Sequence, residues 1–389
     1  MSEAGPTTVG VTPTGTPEIC DLIMKGGITS GIVYPPAIIQ LSRKYRFKNI
    51  GGTSAGAVAA AAAEYGRQSG GFEKLAGMSP DSADFLQDLF QPTPPFRPVY
   101  RAFLAVIGAR GSFGKATALG RALARGYWRN CLLGAVPGLL LGALAVFFYR
   151  PWEAWFLAGL VLATGVIWAL VWSIKKVITR ELPGHNFGIC SGMSPGRDGT
   201  GLTEWLTDKI DDLAGRPITD SDCPPLTFGD LAGSDLADPD INLVIMTTNL
   251  TVGRPHRIPF EQQTFMYRKS EFAKLFPARI CRWLDKHSPA VEGVDQPDDL
   301  CWLPMTQDLP VVVAVRLSLS FPLLLAAVPL WAKDFTYSDP VKKHKPECCW
   351  FSDGGLSSNF PIHFFDSIWP RWPTFGITLE KFDDEEKAG

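Results

Sequence analysis

The chain lacks the marks of several large function classes. Its 389 residues carry a formal net charge of −2, so no basic excess points to nucleic acid. The eight cysteines contain no zinc-type spacing: Cys348 and Cys349 adjoin without a matching pair elsewhere, and no metal is expected. Their scatter through a long chain fits reduced thiols in a cytosolic compartment. The opening residues, MSEAGPTTVGVTPTGTP, have no apolar run, so residues 1–17 are expected to be a disordered tail and not a signal peptide. No internal repeat is visible. No loop reads G-x-G-x-x-G and none ends in Gly-Lys-Ser/Thr, which removes the dinucleotide and phosphate-loop fingerprints, and no cofactor is expected.

Two stretches are conspicuous for having no charge. Residues Cys131–Tyr149 and Ala154–Ile174 contain no Asp, Glu, Lys or Arg. Each is close to the roughly 20 apolar residues that cross a bilayer as a helix. Arg150–Glu153, with Pro151, lies between them as a turn, so residues 131–174 are expected to form a transmembrane helical hairpin. Tyr149, Trp152, Trp155, Trp168 and Trp172 fall near the ends, where amphipathic rings favour the interface. Arg121, Arg125 and Arg129 share one helical face before the first span, and Lys175, Lys176 and Arg180 follow the second. That bias places both flanks in the cytoplasm of an integral membrane protein, with a basic stripe able to meet anionic headgroups.

The hairpin then divides a larger α/β domain into residues 18–130 and 175–380, followed by a charged tail over 381–389. EICDLIM (18–24) reads as a buried strand, YPPAIIQLSRKY (34–45) as a helix opened by its prolines, FKNIGG as a strand and AGAVAAAAAEYG as a helix. That alternation predicts a parallel sheet covered by helices. INLVIMTTNL (241–250), VVVAVRLSLS (311–320), CWFSDGG (349–355) and FGITLE (375–380) are expected to add strands, and residues 201–215 form an amphipathic helix.

Gly52-Thr53-Ser54-Ala55-Gly56 matches G-x-S-x-G between an expected strand and an expected helix, the setting in which the serine is a nucleophile. Gly52 and Gly56 permit the sharp turn, and the helix N-terminus at Ala55 offers N–H groups to an oxyanion. KGGITSG (25–31) supplies Gly26 and Gly27 as further backbone donors. SDGGLSSNFP (352–361) puts Asp353 at the end of a strand before Gly354 and Gly355, where a carboxylate can take a serine proton. Taken alone, that last stretch reads first as an ordinary Asp-Gly turn. Phe85, Leu86, Leu89 and Phe90 read as core, or else as the lining of an acyl groove.

The three motifs in this order resemble the patatin-like phospholipase family. The likeness covers residues 19–66 and about 201–379 and leaves out the hairpin. It implies a three-layer α/β sandwich with a mostly parallel central sheet. It also implies a Ser54–Asp353 dyad without histidine, with Gly26, Gly27 and Ala55 around the oxyanion. VRLSLSFPLLL (315–325), LTFGDL (226–231), TTNLTVG (247–253) and Asn359-Phe360-Pro361 fit the same pattern. The loop departs from it: Lys25 stands for the acid, Ile28 for the third glycine and Ser30 for the arginine. The expected activity is hydrolysis of a lipid acyl ester, with a membrane phospholipid, lysophospholipid or acylglycerol as substrate. An acyltransferase using the same serine, and a silent membrane scaffold, stay open. So does a histidine triad through His363, which follows Asp353.

Overall fold

The structure is a computed structural model that describes residues 17–27, 34–53, 55–78, 88–109, 111–147, 152–196, 199–218, 223–291, 299–333 and 345–378. Along the chain run β1 (Glu18–Met24), α1 (Pro35–Ser42), β2 (Tyr45–Gly52), α2 (Ala55–Tyr65), α3 (Arg97–Gly108), α4 (Gly111–Gly126), α5 (Trp128–Phe147), α6 (Trp152–Lys176) and β3 (Gly188–Cys190). There follow α7 (Leu202–Leu213), β4 (Asn242–Asn249), β5 (Arg254–Ile258), β6 (Met266–Arg268), β7 (Leu300–Trp302), α8 (Val311–Leu319), β8 (Leu323–Leu325), β9 (Val328–Lys333), β10 (Pro346–Asp353) and β11 (Thr374–Ile377). The chain divides into two compact units. One comprises Met1–Leu86, Thr203–Phe321 and Val328–Gly389; the other comprises Gln87–Leu202 and Pro322–Ala327. The second unit thus takes in helices that precede the apolar run starting at Cys131.

The first unit is a mixed α/β layer structure on a nine-stranded sheet in the order β11-β1-β2-β4-β10-β9-β6-β7, with β5 paired to β4. The sheet is parallel from β11 through β4, as the strand–helix alternation predicts, and antiparallel from β10 onward. Strand β5 returns antiparallel on β4 because only Leu250–Gly253 separates them, too short a link for a helical crossover. Leu22, Ile23 and Met24 are fully buried, as central parallel strands covered on both faces should be.

The alanine-rich α2 packs on β1, β2 and β4, and every residue from Gly56 to Glu64 is buried. Small side chains let the helix axis approach the strands closely. Its C-terminal glycine, Gly66, has φ −80°, so it is not a left-handed cap. Its role is close approach: a Cβ there would stand 2.0 Å from the Leu213 carbonyl oxygen. Glu64 closes the buried stretch. It pairs with Arg67 at 2.5 Å, while Arg67 also donates to the carbonyls of Ser42 and Tyr45 at 2.9 Å each. One guanidinium thus ties the ends of α1 and α2 to the start of β2.

VVVAVRLSLS forms helix α8, not a strand. Its first five residues, Val311–Val315, are apolar and buried at every position, so the β-branched run carries no helical period and misleads. Pro310 precedes its first turn, and every residue from Val311 to Ser318 is buried.

In the second unit α5 and α6 pack tightly along small residues. A Cβ on Gly134 would stand 2.4 Å from the Gly165 carbonyl oxygen, and one on Gly138 would meet Leu162 backbone nitrogen at 2.5 Å. Asn130 donates to Ser173 Oγ at 2.7 Å, and Ser173 donates to the Ala169 carbonyl at 2.7 Å. The large side chains point outward, with Leu133, Phe147, Trp152, Phe156 and Trp168 all exposed. Among the described residues one helix, Trp152–Gly184, is long and apolar enough to cross a bilayer, and only 11% of its most apolar window is buried. Trp128–Leu144 is a shorter apolar helix. Residues 148–151, the expected turn, lie outside the described residues.

Candidate active site

Strand register sets the site. Met24 pairs with Gly52, and Gly52 with Ile245, so β1 and β2 end level with each other while β4 runs on to Asn249. Asp353, the last residue of β10, pairs with Thr247, two residues past the Gly52 level. Directly paired residues share a sheet face. A Cβ on Gly52 would meet Ala57 of α2 at 3.3 Å, so Gly52, Ile245, Thr247 and Asp353 all face the α2 side. Ser54 and Gly31 lie outside the described residues; the elbow is seen through Gly52, Thr53, Ala55 and Gly56.

The elbow needs its glycines for space. A Cβ on Gly52 would stand 2.6 Å from the Met24 carbonyl oxygen, and one on Gly56 would lie 3.0 Å from the Tyr34 ring. Tyr34 in turn donates its hydroxyl to the Lys25 carbonyl at 2.8 Å, which joins the glycine loop to the elbow helix. Ala55 is the first residue of α2, where backbone N–H groups have no partner within the helix.

Asn359 holds the three motifs together, a role that sequence did not assign. Its carbonyl accepts the Gly26 N–H at 2.8 Å and the Thr53 hydroxyl at 3.2 Å. A Cβ on Gly355 would come within 3.0 Å of its Oδ1. In this structure the Gly26 N–H, expected at an oxyanion, is donated to Asn359 and closes the glycine loop on the residues after the Asp-Gly-Gly turn. A Cβ on Gly26 would stand 2.0 Å from Thr53 Oγ1. Gly27, the next residue, is exposed.

Asp353 is fixed by hydroxyl-bearing neighbours. Its N–H donates to the Ser320 carbonyl at 3.1 Å, and its own carbonyl accepts the Thr248 hydroxyl at 2.9 Å. Thr247 donates to the Ser352 carbonyl at 2.8 Å, and Ser352 donates to the Ser320 carbonyl at 2.6 Å. The stretches TTNLTVG and VRLSLSF thus act on the Asp-Gly-Gly turn through β4 and the end of α8. Asp353 Oδ1 accepts the Gly355 N–H at 2.8 Å. Burial pushes the carboxyl above the ordinary carboxylate range, against the opposing pull of that N–H. The first glycine of the turn lies hard against β4: a Cβ on Gly354 would be 2.2 Å from the Met246 carbonyl oxygen. Gly354→Ala must move the turn or the strand. It is expected to cost about 1–3 kcal/mol, read as a lower urea midpoint, and to displace Asp353.

His363 sits exposed on a short 3-10 turn with its ring edge-on to Phe364. Among the described hydrogen bonds none joins it to Asp353. His256 is better placed, a position no motif flagged. It pairs with Thr247 from the other side of β4, which puts Asp353, Thr247 and His256 in one row on one face. Its ring is surrounded by Phe260, Phe265 and Phe351, its Nε2 is buried without a hydrogen-bond partner, and burial lowers its pKa. Of the candidate groove residues, Leu89 is buried, while Phe85 and Leu86 lie outside the described residues. Among the described residues no cluster of three His, Cys, Asp or Glu is arranged for a metal ion.

No family model matches the chain. The chain is 36% identical over 441 aligned positions to the RpoH suppressor of Rhizobium meliloti (strain 1021), an alignment that takes in 93% of this chain. It spans 66% of the length of that relative. Among solved structures, VipD from Legionella pneumophila overlaps 96% of this chain and 52% of its own at 14% identity and a TM-score of 0.34, which carries no weight for fold or function.

Proposed function

We propose that the protein is a membrane-anchored lipid acyl hydrolase of patatin-like type, working through Ser54 and Asp353. The observation that supports this reading is the register: Gly52, at the start of the elbow, and Asp353 flank β4 on one face, opposite Ile245 and Thr247, two residues apart. In the first step Ser54 Oγ attacks the ester carbonyl carbon, and Asp353 takes the hydroxyl proton. The tetrahedral oxyanion is met by backbone N–H groups at the start of α2, with Ala55 first. Collapse breaks the carbon–oxygen bond, and Asp353 returns the proton to the leaving alcohol. Water then attacks the acyl-serine, giving its proton to Asp353, and the fatty acid leaves as Ser54 is restored.

Residues 131–174 are the proposed anchor. In their support, large apolar side chains point away from the α5–α6 contact and small ones toward it, the pattern of helices that pack in lipid. A soluble core pair would hide those side chains. With its flanks on the cytoplasmic side, the hairpin keeps the site close to acyl-ester substrate.

A histidine-assisted variant has one observation in its favour, the Asp353–Thr247–His256 row. Labelling with an alkyl fluorophosphonate separates the readings. The peptide bearing Ser54 is expected to carry the adduct in the wild type, His363→Ala and His256→Ala proteins, and to carry none in Ser54→Ala. An adduct lost in folded His256→Ala supports the histidine variant. Absence of any adduct on the wild type speaks against a serine nucleophile.

A further inference from the structure

The hairpin leaves unexplained the two helices before it. Helices α3 and α4 pack on one another, and no residue of α4 is buried. At about 100° per residue the circumference of α4 divides in two. Lys115, Arg121 and Arg125 fall on one side; Phe113, Ala116, Leu119 and Ala124 fall on the other. The apolar side is in the open: Phe113 is 83% exposed and Leu119 42%, and Phe103 of α3 is 52% exposed. Charge is equally one-sided. Between Asp88 and Glu153 the chain has no acidic residue, while seven Lys or Arg lie between Asp88 and the first residue of the apolar run, Cys131. A helix surface meant for water mixes both signs and hides its aromatics. This one does neither.

We infer that α3 and α4 lie along an anionic phospholipid surface, with the apolar side at the headgroup–acyl boundary and the basic side chains reaching lipid phosphates. The inference rests on the membrane reading of α5 and α6. Helix α4 ends at Gly126 and α5 begins at Trp128, so one residue separates the basic helix from the hairpin. The occupant follows from the charge. A zwitterionic surface offers no net attraction to a segment with this excess of cations, whereas each basic residue near an anionic surface is worth about a fivefold gain in bound population. Attachment would then read lipid charge, a second signal beside hydrocarbon burial, and would orient the chain on acidic membrane patches.

Hydrogen–deuterium exchange of the full chain in nanodiscs tests this. One set contains phosphatidylcholine alone, the other phosphatidylcholine mixed with phosphatidylglycerol. Amides over 111–126 are expected to exchange at least about tenfold more slowly in the anionic discs, an effect that high salt reverses. Lys115→Gln/Arg121→Gln/Arg125→Gln is expected to return the rate to that in neutral discs, and Phe113→Ser to recover part of it. All four side chains are exposed, so these variants should fold. Equal exchange in the two lipids, with residues 131–174 protected in both, overturns this inference alone. Failure to enter the discs, or fast exchange over 131–174, overturns the membrane reading and this inference with it.

Discussion

Asp353→Asn is expected to lower acyl-ester hydrolysis by about 10²–10⁴-fold while leaving the protein folded. Asparagine keeps an oxygen that can accept the Gly355 N–H, now at 2.8 Å, so the turn survives and only the proton acceptor is lost. The sign of the accompanying stability change is informative. The folded carboxyl titrates above its ordinary value because its half-buried position strips water from the charged form. Such a group contributes stability below its unfolded pKa, and that contribution is lost as pH rises through the folded pKa. At neutral pH the ionised Asp353 is therefore a cost to the fold. Asp353→Asn should melt at or above the wild-type temperature at pH 7, and the difference should vanish in acid. Wild-type hydrolysis should fall on acidification with a midpoint above the ordinary carboxylate value, because the base must be ionised. A variant that is inactive and also less stable would assign Asp353 to the Asp-Gly-Gly turn and not to proton transfer.

Arg67→Met is expected to destabilise the first unit by about 3–5 kcal/mol, since it strands a buried carboxylate. Glu64 is 3% exposed. Its remaining cation would be Arg46, at 3.5 Å and largely in solvent. The substitution also removes donors from the carbonyls of Ser42 and Tyr45 and a cation over the Phe72 ring. Glu64→Gln/Arg67→Met should recover part of the loss, because no buried charge is then left alone. A loss below about 1 kcal/mol in the single variant would mean that Arg46 and water suffice. Activity per folded molecule should be unchanged, which separates this effect from that of Asp353→Asn.

Much of the site was legible because its requirements are local. The elbow needs small residues at Gly52 and Gly56 between a buried strand and a helix, and the Asp-Gly-Gly turn needs Gly354 against β4. Those demands leave short motifs. The roles of Asn359, Thr247, Thr248 and His256 are set by strand order, and order is not written in any one segment. Thr53 and Asn359 meet across 306 residues of chain. The same residue, Asn359, accepts the Gly26 N–H, a partner that the glycine loop alone does not announce. The antiparallel half of the sheet was hidden for a similar reason: an apolar strand has the same pattern in either direction. Helix α8 was hidden because burial on all sides erases periodicity.

The most direct measurement is fatty-acid release from phospholipid by the wild-type protein reconstituted in lipid, set against Ser54→Ala in the same membranes. The account predicts release by the wild type and background from Ser54→Ala with equal incorporation. Release that persists in Ser54→Ala, or a folded wild type that frees no acyl chain from any phospholipid, lysophospholipid or acylglycerol, would contradict it.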